Sequence, residues 1–232
     1  VTKVGSTGPG QGGEVGDGRA GGQVGRRSIA DPGGFFGQVA RELPWLEPFT
    51  SVLDWSGAPV ARWFEGGKLN VSHVCLDQHV EAGRGGEGAL VWEGEPGDER
   101  TFTYAELLTE VCRFANVLKA RGVGKGDRVA IYMPMVPEAA MAMLACARIG
   151  AIHSVVFGGF SAQALTDRIE DGGGTAVITA DGGWRRGSIL SLKDAVDEAV
   201  KGQDQVHTVL CVRRTEQAVQ WDGERDVWLH EA

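Results

Sequence analysis

GDRVAIYMPMVPEAAMAMLACARIGAIHSVVFGGFSAQALTDRIEDGGGTAVITADG, residues 126–182, decides the fold. Its first piece, GDRVAIYMP (126–134), is apolar at consecutive positions, as a strand covered on both faces of a parallel sheet must be. Pro137 sits at a first helical position, where its missing N–H costs nothing. PEAAMAMLACARIG (137–150) is apolar nearly all round, which predicts a buried helix. HSVVFGG reads as the next strand, SAQALTDRIEDG as the next helix and TAVITADG as the strand after it. Downstream, SLKDAVDEAVKG predicts a helix with Ser191 and Asp194 as a capping pair, and VHTVLCVRR a strand. Upstream, Thr103 and Glu106 form a capping box, their oxygens satisfying N–H groups at a helix start. Leu107, Leu108, Val111, Ala115 and Leu118 then share one face, and Gly122 stops the helix. ALVWEGEP (89–96) reads as a strand before it. Strand and helix alternate four times with short Gly-marked turns, which predicts an α/β fold with a doubly wound, mostly parallel sheet flanked by helices.

The N-terminal part reads differently. Residues 1–30 lack apolar periodicity and cannot offset the entropy of ordering a Gly-rich backbone, so a disordered tail is expected. VGSTGPGQGG (4–13) has the composition of a phosphate loop but neither the lysine nor a preceding strand. A literal GxGxxG at 16–21 likewise has no strand before it and no helix opening from it. FFGQVARELPWLEPF places Phe36, Val39, Ala40 and Leu43 at helical spacing, ended by Pro44. A Trp-rich irregular stretch (Trp55, Trp63) follows, then GGKLNVSHVCLDQHV, a short segment docked on something larger.

Bulk properties narrow the class. With 232 residues, 42% hydrophobic and 23% charged, the chain has the make-up of a soluble globular protein. Its net charge of −8 argues against a general nucleic-acid or anionic-membrane surface. The most apolar region is interrupted by Glu138, Arg148 and His153, which excludes a membrane span there. Cys75, Cys112, Cys146 and Cys211 share no metal-ligand spacing and read as buried reduced thiols of a cytoplasmic protein. The five histidines lie far apart, and His153, opening a buried strand, reads as a hydrogen-bonded core residue.

Ligands of open α/β sheets bind beyond the carboxyl ends of the strands. Two such ends stand out: Phe157-Gly158-Gly159-Phe160, leading to a helix capped by Ser161, and Ala180 to Gly187, which carries Arg185 and Arg186. Paired glycines admit a ligand to the backbone, and adjacent guanidinium groups suit phosphates. On spacing alone, two ordinary βα turns with exposed arginines are the better account, because paired glycines are common in turns.

WLEPFTSVLDW, WFEGGKLNVSHVCLDQHV, ERTFTYAEL, the block from Gly122 to Asp171 and VITADGGWRRG together resemble the acetyl-CoA synthetases of the adenylate-forming acyl-CoA ligase superfamily, collinearly over about residues 31–232. The resemblance implies acetate activation: acetate and ATP with Mg²⁺ give acetyl-adenylate and pyrophosphate, and the coenzyme A thiol then attacks the adenylate. It implies a coenzyme A site of Phe157, Gly158, Gly159, Arg185, Arg186, Gly187 and Ser188. The aromatic and two glycines would meet adenine and ribose, and Arg185 the ribose-phosphate end. Family members often carry a second arginine where this chain has Ser188, a departure that weakens the implied coenzyme A contact unless the adjacent Arg186 compensates. The family's phosphate loop follows the counterpart of RDVWLHEA, so no catalytic residue or metal ligand is expected among these residues.

The resemblance further implies an acetyl-CoA synthetase N-terminal region over 31–88 and the first half of the AMP-binding domain over 89–232, an incomplete sheet truncated before the phosphate loop. Such an N-terminal fragment is expected to be inactive alone and to hold none of its ligands tightly. Acetate, ATP and coenzyme A are the expected partners, with no nucleic acid and no membrane. A propionyl-CoA synthetase fragment shares much of the same wording. A non-catalytic module that binds a nucleotide-like ligand or a ligase partner is the reading of another class.

Overall fold

The computed structural model describes residues 18–232. It divides into two units at Asn70/Val71. In the first unit, helix α1 (Gly18–Ala30) is followed by α2 (Pro32–Ala40), with Asp31 as N-cap accepting the Gly34 N–H and Pro32 at the first helical position. The tail expected over 1–30 is thus helical from Gly18 onward. Its last turn hydrogen-bonds into the α2 cap, and the Arg27 guanidinium lies 5.9 Å from the Phe35 ring centroid, contacts that no apolar periodicity announces. VGSTGPGQGG and the opening of the GxGxxG lie outside the described residues.

The Trp-rich stretch expected to be irregular is an antiparallel pair, β1 (Ser51–Asp54) and β2 (Arg62–Glu65). Its order comes from rings: Phe36 packs edge-on to Trp63 at 5.3 Å, and Trp45, Phe49 and Phe64 form a second cluster at 5.2–5.7 Å. Aromatic pairs of this kind contribute about 0.5–1.5 kcal/mol beyond the area they bury.

The second unit opens with two wide, π-type helical turns, His73–Asp77 and Val80–Arg84. Residues 71–88, expected with the N-terminal region, belong to the larger unit because Leu76 is buried in its core and Asp77 pairs with Arg148 through two bonds of 2.7 and 2.8 Å. Those bonds hold the Asp77 carboxyl below the usual carboxylate range. An antiparallel hairpin follows, β3 (Gly88–Glu93) and β4 (Glu99–Thr103). The capping box then starts α3 (Tyr104–Ala120): Thr103 Oγ1 accepts the Glu106 N–H, and Glu106 accepts the Thr103 N–H.

The central sheet comprises β5 (Arg128–Met133), β6 (Ile152–Phe157), β7 (Ala176–Ala180), β10 (Thr208–Val212) and β11 (Asp226–Trp228), in the order β11-β10-β7-β5-β6, every neighbouring pair parallel. Helices α4 (Pro137–Ile149), α5 (Ala162–Gly172) and α6 (Leu192–Ala199) cross between strands. Right-handed crossovers put α4 beside α3 on one face and α5 beside α6 on the other. Ile131, Ile178, Leu165 and Leu210 are fully buried between these layers, each worth about 1.5–3 kcal/mol of transfer free energy.

Four further expectations need correction. His153 is exposed, because β6 is an edge strand among the described residues and has a partner on one side only. Cys75 is exposed as well, in contrast to Cys146 and Cys211, whose thiols burial pushes up to about 12. Ser191 makes no capping bond to the start of α6; its hydroxyl points to Gln217 instead. The stretch after β7 is not a βα turn but a second antiparallel hairpin, β8 (Gly182–Arg185) and β9 (Ser188–Ser191), with α6 starting only beyond it. Strand β11, with no expectation behind it, is tied in by buried charge. Lys193, 0% exposed, bonds Asp226 at 2.7 Å and Asp197 at 2.6 Å, and Arg225 bonds the same two carboxylates. Burial pushes Asp226 upward, but Arg225, the Asp222 N–H bond and Lys193 outweigh it and hold the carboxyl below its usual range.

Candidate functional site

The carboxyl ends of β5, β6 and β7 open into one cleft of about 260 Å³, which also receives the β3–β4 turn. Gly158 and Gly183 line it, with Gly159 next to Gly158 in the chain. A Cβ on Gly158 would stand 2.6 Å from the Met133 carbonyl oxygen, one on Gly183 2.7 Å from Pro134, and one on Gly159 2.1 Å from Arg185 Nη1. Strand ends this close exclude side chains by contact. Beyond Gly159, Ser161 caps α5 by accepting the Ala164 N–H. Tyr132 braces the same loop by donating its hydroxyl to the Phe160 carbonyl at 2.7 Å.

Arg185 is the unpaired cation of the cleft. Its guanidinium carbon lies 5.1 Å from the Phe157 ring centroid, seated over the place that Gly159 leaves empty. Phe157 is 51% exposed and Arg185 makes no ion pair among the described residues, so ring and charge are both open to solvent. The hairpin that carries Arg185 turns at Arg186 and Gly187, both with positive φ (54° and 75°), a two-residue turn that suits the twist of the strands. Arg186 therefore projects from the tip as an exposed cation, Gly187 offers its N–H, and Ser188 pairs with Arg185 across the strands.

The structure adds two groups, Asp181 and Arg214, to those expected at the site. Asp181 is fully buried, and its Oδ1 accepts the N–H groups of Gly182, Arg214 and Thr215 at 2.7, 2.8 and 3.0 Å. One carboxylate thus fastens the root of the hairpin to the segment after β10. Arg214, fixed there, pairs with Asp98 at 2.9 Å and lies 5.1 Å from the Trp92 ring centroid on the opposite wall. The signal for Asp181 was its place in ADGG at a strand end; Arg214, in a loop, had none.

Phe157, Gly158, Gly159 and Arg185 thus meet in space, with Gly187 and Ser188 on the same hairpin. This arrangement can grip a phosphorylated ligand that has a flat apolar part.

A family model for AMP-binding enzymes matches residues 76–231, and one for the acetyl-coenzyme A synthetase N-terminus matches residues 23–75. The chain belongs to the AMP-binding enzyme family. The junction of the two matches falls within a few residues of the Asn70/Val71 division. Among curated relatives, the chain is 59% identical over 202 residues to an acetyl-coenzyme A synthetase of Streptomyces avermitilis, covering 87% of this chain and 31% of that one. It is 60% identical over 198 residues to an acetyl-coenzyme A synthetase of Mycolicibacterium smegmatis (85% and 21%), and 54% identical over 209 residues to acetyl-coenzyme A synthetase 2 of Pseudomonas putida (89% and 32%). It spans about a third or less of the length of these relatives. The five-stranded parallel sheet is accordingly part of an AMP-binding domain. Among the described residues no helix is long and apolar enough to cross a membrane.

Proposed function

We propose that these residues are the N-terminal part of an AMP-forming acetate–CoA ligase of the cytoplasm, and that their cleft is the coenzyme A side of its site. The reaction joins acetate to ATP as acetyl-adenylate with loss of pyrophosphate; the coenzyme A thiol then takes the acetyl group and releases AMP. The observation that carries the coenzyme A reading is the seat of Arg185 over Phe157 and Gly159, an unpaired guanidinium beside an exposed ring. Arg185, with Arg186 at the tip, would hold the phosphate of the ribose end, and Phe157 with Gly158 and Gly159 would receive the base and sugar. ATP and its metal would be held by residues outside 1–232. Acetate rather than propionate rests on the names of the relatives.

Arg185→Ala in the full-length enzyme tests the assignment. A charge-assisted phosphate contact is worth about 1.5–3 kcal/mol, so the KM for coenzyme A should rise between tenfold and a hundredfold. Acetate-dependent ATP–pyrophosphate exchange, which uses no coenzyme A, should survive. A parallel loss of exchange would make Arg185 structural and sink the reading.

A further inference from the structure

A cleft for a multiply charged anion carries an acidic wall. Glu93 and Glu95 both line it, and Glu95 reaches the hairpin tip, where its Oε1 accepts the Gly187 N–H at 2.5 Å. Among the described residues Glu95 forms no ion pair, and neither do Arg185 and Arg186. The carboxylate spends its acceptor on a backbone N–H and leaves both guanidinium groups free. Its placement is built into the fold. Glu95 lies in the turn between β3 and β4, closed by the Gly94 N–H to the Asp98 carbonyl at 2.7 Å. Arg214 holds that turn through Asp98, and Trp92 beside it donates its indole N–H to the Met135 carbonyl at 2.7 Å. Gly187 cannot turn its N–H elsewhere cheaply, since the turn fixes its left-handed conformation.

We propose that Glu95 is an affinity-setting residue: an internal anion that competes with the ligand's phosphate for the hairpin tip. The inference rests on the coenzyme A reading of the cleft. A phosphate that approaches Arg185 and Arg186 also approaches the Glu95 carboxylate, and it gains the Gly187 N–H only when that carboxylate leaves. Two like charges cannot share one donor. Binding is therefore weaker than the arginines alone would give, and coenzyme A leaves the cleft more readily after turnover.

Because removing an interaction should here strengthen binding, damage to the fold cannot imitate the result. Coenzyme A is titrated calorimetrically into the protein and into its Glu95→Ala and Glu95→Gln variants. Removal of one exposed, screened carboxylate predicts a dissociation constant lowered about threefold to fivefold in Glu95→Ala. Glu95→Gln, which keeps an acceptor for the Gly187 N–H but no charge, should give about half that gain. Unchanged or weaker binding in Glu95→Ala overturns the inference. Arg185→Ala in the same titration keeps the two claims apart: if it binds as wild type, the coenzyme A reading of the cleft fails, whatever Glu95→Ala does.

Discussion

Two glycine pairs end strands that are consecutive in the chain, and in sequence they look alike: Phe157-Gly158-Gly159-Phe160 after β6 and Ala180-Asp181-Gly182-Gly183 after β7. The first is what it looks like, a turn that runs into a helix capped by Ser161. The second is followed by a hairpin, and its carboxylate is buried against three backbone N–H groups, two of them more than thirty residues further on. The first turn caps its helix locally and takes one side-chain bond from further off, the Tyr132 hydroxyl on the Phe160 carbonyl. The second depends on a distant segment, and for that reason its side chains are fixed: Arg185 stands on a hairpin whose root cannot swing.

The largest test of that contrast is Asp181→Ala. It leaves three N–H groups without their acceptor at about 1–3 kcal/mol each, so a loss of at least about 3 kcal/mol in denaturant unfolding is expected. Asp181→Asn keeps the oxygen that takes all three bonds and should lose about 1 kcal/mol. An Asp181→Ala variant within 0.5 kcal/mol of wild type, by the error of such measurements, would mean the clamp has no hold. A middle-sized effect is expected at Gly158→Ala, whose methyl would meet the Met133 carbonyl oxygen at 2.6 Å, a backbone atom that cannot step aside. Overpacking of this kind costs about 1–3 kcal/mol, and an unchanged thermal midpoint would show that the strand ends are looser than their contact implies. The smallest effect belongs to the local turn. Ser161→Ala removes one cap bond, about 1 kcal/mol, and leaves Arg185 in place. If Ser161→Ala proved as costly as Asp181→Ala, the two turns would not differ in kind.

Much of the fold was legible because its causes are local. The Thr103–Glu106 box, Pro137 at a helix start and the unbroken apolar run of β5 each state their structure within a few residues. What failed to show depends on partners far away. Helix α1 and the β1–β2 pair carry weak periodicity and are ordered by ring and cation contacts. His153 sits in an apolar run, but the strand order, not the run, decides that β6 is an edge. In the candidate site, Phe157, the glycines and Arg185 could be picked out by residue type, whereas Arg214 and Glu95 lie in loops that only packing brings to the cleft.

The sequence by itself determined the alternation of strand and helix, since caps and hydrophobic period act over one or two turns of chain. Tertiary structure alone decided which charges are buried and which stay open to solvent. Lys193 sits in an ordinary amphipathic helix, yet it is the most deeply buried cation among the described residues because Asp226, thirty-three residues on, arrives to meet it. Arg185 makes no ion pair among the described residues, and the Glu95 carboxylate, which lines the same cleft from another hairpin, is held to a backbone N–H. Desolvation and Coulomb energy depend on distance in space, and distance along the chain does not fix that.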